Sequence, residues 1–189
     1  MERVFVGVGS NIDPEHNVVG ALKLLGSKVA IVAVSTFYRT EPIGSPPEYV
    51  NPEYVNGVVE ITTEITPNGL KHEVLRSVEQ SFGRVRNAEK NSPRTIDLDL
   101  LLYGQRVIDE ETLQLPDPDI TERPFILLPL VELAPELLLP GPGVKISDLA
   151  ESYCKENGVM TNPGKPFKAA KMEALDAFTD RLRKELAFK

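Results

Sequence analysis

Tryptophan is missing from this 189-residue chain, and cysteine and histidine nearly so. Cys154 stands alone, which excludes an internal disulfide. His16 and His72 have no cysteine or second histidine at ligand spacing, which excludes the usual zinc sites. Basic residues are in deficit: 21 Lys and Arg face 28 Asp and Glu, a net charge of −7. A chain so charged, without a broad basic stripe, is a poor binder of nucleic acid or anionic membrane. No apolar run approaches the roughly 20 residues that a membrane span needs. Met1-Glu2-Arg3 leads directly into a strand-like run, so no signal peptide is expected. Together these features fit a reducing, cytoplasmic setting. No Walker A sequence is present: Gly7-Val8-Gly9-Ser10-Asn11 is too short, lacks the lysine, and reads as a tight turn. Protein-kinase signatures and internal repeats are absent too.

The length suits one domain with a sizeable core. Residues 4–8 read as a strand. Asp13-Pro14 reads as an N-cap followed by proline at the first helical position, with Val18, Ala21, Leu22 and Leu25 as the apolar stripe and Gly26 as the stop. Residues 29–38 predict a second strand and residues 55–65 a third. A long proline-bearing loop over 40–53 separates them. Thr66-Pro67 opens a second helix, with Leu70, Val74, Leu75 and Val78 inward, and a strand over 95–103 follows. The order β-α-β-β-α-β predicts an α+β fold, a ferredoxin-like sandwich with helices on one face of the sheet. Further on come a short hairpin at Val107-Ile108, a partly helical run over 124–133 broken by Pro129, and a helix over 148–155. Residues 1–160 form the domain. Residues 161–189 are a linker and an amphipathic helix, in which Met172, Leu175, Phe178, Leu182 and Leu186 recur at helical spacing. That helix is a lid on its own domain or a subunit contact.

Two charges interrupt the strand Thr95-Ile96-Asp97-Leu98-Asp99-Leu100-Leu101-Leu102-Tyr103. Alternation puts Ile96, Leu98, Leu100 and Leu102 on one face and Asp97, Asp99, Leu101 and Tyr103 on the other. The two carboxylates then point the same way, about 6.5–7 Å apart. Buried and unpaired they would repel, and one or two hard cations between them would relieve the repulsion. An exposed pair on a surface strand is the alternative, and the apolar run on both sides weighs against it. The preceding loop sets Arg84, Arg86, Lys90 and Arg94 against Glu89 alone. The planar guanidinium fork suits phosphate oxygens. Cations and metal ligands converging on one place are what phosphoryl transfer needs. Asn56 enters a core strand, where its amide either caps the loop or reads a heterocycle edge.

These residues resemble a known family, the 6-hydroxymethyl-7,8-dihydropterin pyrophosphokinases of folate biosynthesis. The resemblance spans about residues 3–150. It is carried by Gly9-Ser10-Asn11, Tyr38-Arg39-Thr40-Glu41-Pro42, Tyr54-Val55-Asn56, Gly83-Arg84-Val85-Arg86, Pro93-Arg94-Thr95-Ile96-Asp97-Leu98-Asp99, Arg123-Pro124-Phe125 and the string over 129–135. It implies a ferredoxin-like fold and transfer of the β,γ-diphosphate of ATP to the hydroxymethyl oxygen of the dihydropterin, releasing AMP. Asp97 and Asp99 would hold two Mg²⁺ ions, one bridging the α and β phosphates and the other β and γ. Arg84 and Arg94 match the arginines that hold the phosphates; Arg86 lies in the same loop, and Arg123 matches a further phosphate-side cation. Asn56 matches the amide that reads the pterin edge, and Thr40, Pro42, Ile43, Tyr54 and Phe125 match the pocket wall. Glu79 falls on the nucleotide side and Leu100 where the adenine is lined. Asp117 stands where the family usually has a histidine near the ATP phosphates, so it would be turned away, metal-bound or paired, for instance with Arg123. Asn91 stands where many members carry an aromatic residue that closes over the pterin.

Two other readings compete. One is a degenerate member that binds nucleotide or pterin without turnover. The other is an RNA-binding or regulatory ferredoxin-like module, which would want a basic sheet with exposed aromatics. The partners expected are ATP and the dihydropterin, without nucleic acid or membrane, in a monomer or weak homodimer. Every residue matched to the site precedes position 126, so chemistry is not expected to need the tail.

Overall fold

The computed structural model of the chain describes residues 1–41, 52–84, 93–157 and 172–186. Its centre is β4 (Tyr54–Thr63), buried along nearly its whole length. On one side β4 pairs with β1 (Glu2–Ser10). On the other it pairs with β2 (Ala30–Val34) and β3 (Tyr38–Thr40), laid end to end. The single strand expected over 29–38 is therefore two. Between them Ser35 ties to Val58, accepting from its N–H at Oγ (2.9 Å) and donating its own N–H to the Val58 carbonyl (3.0 Å). The outer edge of β1 carries β5 (Asp97–Tyr103), and the outer edge of β3 carries β8 (Met172–Ala174). The order is β5-β1-β4-β3-β8 and every pair is antiparallel. β6 (Ile108–Glu110) and β7 (Leu113–Leu115) form the expected hairpin.

Alternation along β1 divides the core. Val4, Val6 and Val8 face α1 (Pro14–Gly26), the helical segment made of α2 (Pro67–Gly69), a π-helical stretch (Leu70–Leu75) and α3 (Arg76–Ser81), and α7 (Asp176–Leu186). Phe5 faces the opposite layer, α4 (Asp119–Glu122), α5 (Pro124–Leu133) and α6 (Ile146–Glu156). The two helices within the βαββαβ order share one face with α7, and α4, α5 and α6 cover the other.

Several local expectations are corrected. Asp13 caps nothing with its side chain and instead takes a left-handed conformation, φ 40°, before Pro14. α5 runs unbroken through Pro129, although an interior proline costs roughly 3 kcal/mol. Burial of Ile126, Leu127, Leu128, Leu130 and Val131 outweighs that cost. Residues 172–174 are a strand, because the outer edge of β3 offers them a ladder; the helix starts at Asp176 and buries Phe178 and Leu182 as expected. A β-bulge at Leu101 breaks the alternation in β5: Val6 pairs with Leu100 but Phe5 pairs with Leu102. Leu102 therefore joins the α5 face, and Tyr103 turns to the α1 face. No helix among the described residues is long and apolar enough to cross a membrane.

Candidate active site

Strand register builds the site. On the α5 side of the sheet a row runs across four strands: Tyr38 opposite Asn56, Asn56 opposite Gly9, Gly9 opposite Asp97. One step along, Gly7 lies opposite Asp99. Gly9 brings no side chain between the amide and Asp97 and leaves a bare floor there, while over Gly7 the Leu101 side chain packs, 3.4 Å from where a Cβ would lie. A Cβ on Gly9 would sit 2.8 Å from Asn56 Oδ1. Asn56 is buried and donates Nδ2–H to Thr40 Oγ1 at 2.7 Å, which orients its amide. The second N–H and the carbonyl of that amide are the groups a heterocycle edge requires.

Asp97 is not left bare. Arg84 Nη2 meets its Oδ1 at 2.8 Å, and Arg94 Nη1 donates to its Oδ2. Arg84 also donates to the Ile96 carbonyl at 3.2 Å. Asp99 opens to solvent on one side. The sequence argument that a buried pair demands a cation is thus replaced. β5 is an edge strand, so one acid is neutralised by arginines and the other faces water. Protein crowding raises the Asp99 pKa, and the negative charges of Asp97, Asp117 and Glu79 add to it, so the group is pushed up to about 8. Burial likewise raises Asp117, whose Oδ1 accepts the Asp119 N–H at 2.9 Å. Tyr54 lies in the same field: burial raises its hydroxyl, Asp97 adds to this, and Arg94 and Arg84 oppose it.

The remaining expected residues are distributed around this core. Glu79 is fully buried and accepts the Leu98 N–H at 3.0 Å, so it holds the edge of β5. The Leu100 side chain packs in the core on the α1 face, away from Asp99. Phe125 is half-buried at the start of α5. Arg123 pairs with Asp119 at 3.5 Å, not with Asp117. Pro42, Ile43, Arg86 and Asn91 lie outside the described residues.

Four contributors were missed by sequence reasoning. Gly7 falls within the expected strand over 4–8 and Gly9 reads as the turn that ends it, yet both lie inside β1. The signal available was their spacing of two among valines, the mark of a strand that something approaches closely. Ser10 and Asn11 are buried and latch the entrance to β5. Ser10 Oγ donates to the Thr95 carbonyl (2.6 Å), and Asn11 Oδ1 accepts the Arg94 N–H (2.6 Å).

The chain is 39% identical over 149 residues to the 2-amino-4-hydroxy-6-hydroxymethyldihydropteridine pyrophosphokinase of Synechocystis sp., covering 77% of this chain and 73% of that one. It is 36% identical over 166 residues to the enzyme of the same name from Haemophilus influenzae, covering 86% and 100%. The HPPK-DHPS of Plasmodium falciparum superimposes with a TM-score of 0.66 at 14% identity, over 92% of this chain. That likeness shows the fold alone, and the chain spans about half the length of that protein, 46%. The family model for 7,8-dihydro-6-hydroxymethylpterin-pyrophosphokinase matches residues 5–135, which run from the glycine floor through the arginine–aspartate cluster to the end of α5, and it is to this family that the chain belongs.

Proposed function

We propose that the chain transfers the β,γ-diphosphate of ATP to the hydroxymethyl oxygen of 6-hydroxymethyl-7,8-dihydropterin, releasing AMP, in folate biosynthesis. The observation that carries this reading is the row Asn56–Gly9–Asp97. It sets a heterocycle-reading amide and an arginine–carboxylate cluster two strands apart, about 9.5 Å, across a floor without side chains. A flat pterin ring spans such a gap.

In this reading Asn56 orients the pterin by its edge, with Thr40, Tyr54, Phe125, Pro42 and Ile43 as the wall. That aims the hydroxymethyl group across the glycine floor toward the arginines. Arg84 and Arg94 exchange Asp97 for phosphate oxygens and hold the diphosphate in line with that group. Arg86 and Arg123 add positive charge on the nucleotide side, and Asp117 borders it. Glu79 keeps β5 in place. Leu100, with its side chain in the core, offers the nucleotide its backbone. Asp97 and Asp99 would hold two Mg²⁺ ions. Their donor set is all carboxylate oxygen, and a hard cation completes its shell with phosphate oxygens and water. Bound there, Mg²⁺ supplies neutralisation of the polyphosphate charge. The strand order and the shared face of α1 and α3 support a ferredoxin-like core. We place the transferase in residues 1–160, with 161–189 as an addition to it, in a cytoplasmic monomer or weak homodimer that binds neither nucleic acid nor membrane.

The test is AMP formation from ATP. It is expected to require both Mg²⁺ and the dihydropterin. AMP release indifferent to the pterin, or none with all three present, would overturn the reading.

A further inference from the structure

We propose that the C-terminal unit β8–α7 is a positioning element for the pterin pocket, holding the amide of Asn56 in register through β3 and Phe37. The inference rests on the reading of Asn56 as the residue that meets the pterin edge.

β3 is three residues long, and it is held from both sides. Its inner edge pairs with β4; its outer edge pairs with β8, Thr40 opposite Met172, Arg39 opposite Glu173 and Tyr38 opposite Ala174. Thr40 is the residue that accepts the Asn56 amide. Both backbone groups of Phe37, just before β3, end on the tail. Thr179 Oγ1 accepts its N–H at 2.9 Å, and Leu175 donates to its carbonyl at 2.8 Å. Phe178 meets the Phe37 ring edge to face, centroids 5.7 Å apart. The Phe37 ring in turn lies against Gly57, where a Cβ would be 2.9 Å from it, and Gly57 directly follows Asn56. Contact therefore runs without a gap from α7 through Phe37 to the backbone that carries the amide.

A second tie reaches the opposite wall. Arg183 donates to the Val34 carbonyl (2.7 and 3.1 Å) and to Glu132 of α5 (3.1 Å). Glu132 also accepts the Thr36 N–H (2.9 and 3.0 Å) and hydroxyl (3.1 Å). One carboxylate thus joins the tail, the β2–β3 link and the helix whose first turn carries Phe125. Among the described residues, the tail's side-chain hydrogen bonds and ion pairs to the rest of the chain go to Glu15, Lys23, residues 34–37 and Glu132. None goes to Arg84, Arg94, Asp97 or Asp99, so the tail acts on the pterin side and not on the phosphate side.

The experiment compares Thr179→Val, Thr179→Ser and Arg183→Met in the full chain, each verified as folded by its thermal melt. Thr179→Val removes the acceptor for the Phe37 N–H and keeps the volume. It should raise KM for the dihydropterin at least about tenfold while kcat and KM for ATP stay within about twofold. Thr179→Ser should restore the pterin KM, and Arg183→Met should raise it in the same selective way. An unchanged pterin KM in folded Thr179→Val and Arg183→Met, or an equal loss for ATP and pterin, would overturn the proposal. Asn56→Ala separates the two readings. If it weakens pterin binding while Thr179→Val does not, the positioning role alone falls. If it leaves pterin binding intact, the pocket assignment falls and the inference with it.

Discussion

At the scale of single residues, Asp97 and Asp99 stand two positions apart in very different surroundings. Asp97 gives its oxygens to two arginines; Asp99 faces solvent among other acids. Replacing either by alanine should lower kcat at least about a thousandfold, ~4 kcal/mol on the barrier. Near-normal turnover in either variant, measured as AMP release, would refute the shared metal role. Without metal the two differ in stability. The native Asp99 pKa lies above its ordinary value of 3.8, so between there and about 8 the native state binds more protons than the unfolded chain. Stability of the metal-free protein should therefore fall as pH rises through that window. Asp99→Asn should remove this part of the slope, gaining more over wild type at pH 8 than at pH 5 in urea unfolding. An equal gain at both pH values would refute the shift. Gly9→Ala places a methyl group 2.8 Å from Asn56 Oδ1. It should weaken dihydropterin binding about tenfold, ~1.4 kcal/mol, and spare a nonhydrolysable ATP analogue, both read by calorimetry. The acid pair was legible because charges break the apolar pattern of a strand. The glycine floor was not, because it exists only once register has set Gly9 between Asn56 and Asp97, and register is a long-range property.

At the scale of elements, β5 is an edge strand, laddered to β1 on one side and also tied by one buried side chain. Glu79 accepts the Leu98 N–H, and both residues are buried. Glu79→Ala should cost roughly 1–3 kcal/mol in urea unfolding by leaving that donor unsatisfied. Glu79→Gln keeps an acceptor and should lie closer to wild type. Equal losses in the two variants would assign Glu79 a role other than holding the strand. The long elements followed from periodicity: β1, α1, β4 and the helix over 67–81 needed only their own apolar spacing. The failures were local rules overruled from a distance. β3 and β8 are three residues each and exist because each completes the other's ladder. α5 keeps Pro129 because its neighbours are buried. The β5 bulge, which re-aims Leu102 and Tyr103, leaves no mark in an unbroken run of leucines.

At the scale of the whole molecule, the tail belongs to the main core. Phe178 and Leu182 join the cluster built by α1, α3 and the sheet. Deleting residues 158–189 removes both and should cost roughly 3–6 kcal/mol before ordering terms are counted. A melting temperature unchanged by the deletion would show that they contribute nothing. The apolar period of the tail was readable, and so was its helix. Where it docks was not, since an amphipathic face does not name its partner.

The bond from Phe37 to Thr179 spans 142 residues. A ribosome adds about 5–20 residues per second, so on the order of ten seconds separates the making of the two ends. During that interval the outer edge of β3 has no ladder partner, and an unpaired strand edge invites other chains. The pterin wall is thus among the last parts of the protein to be finished. Nascent chains stalled before position 172 would carry the arginine–aspartate cluster complete and the opposite wall still open.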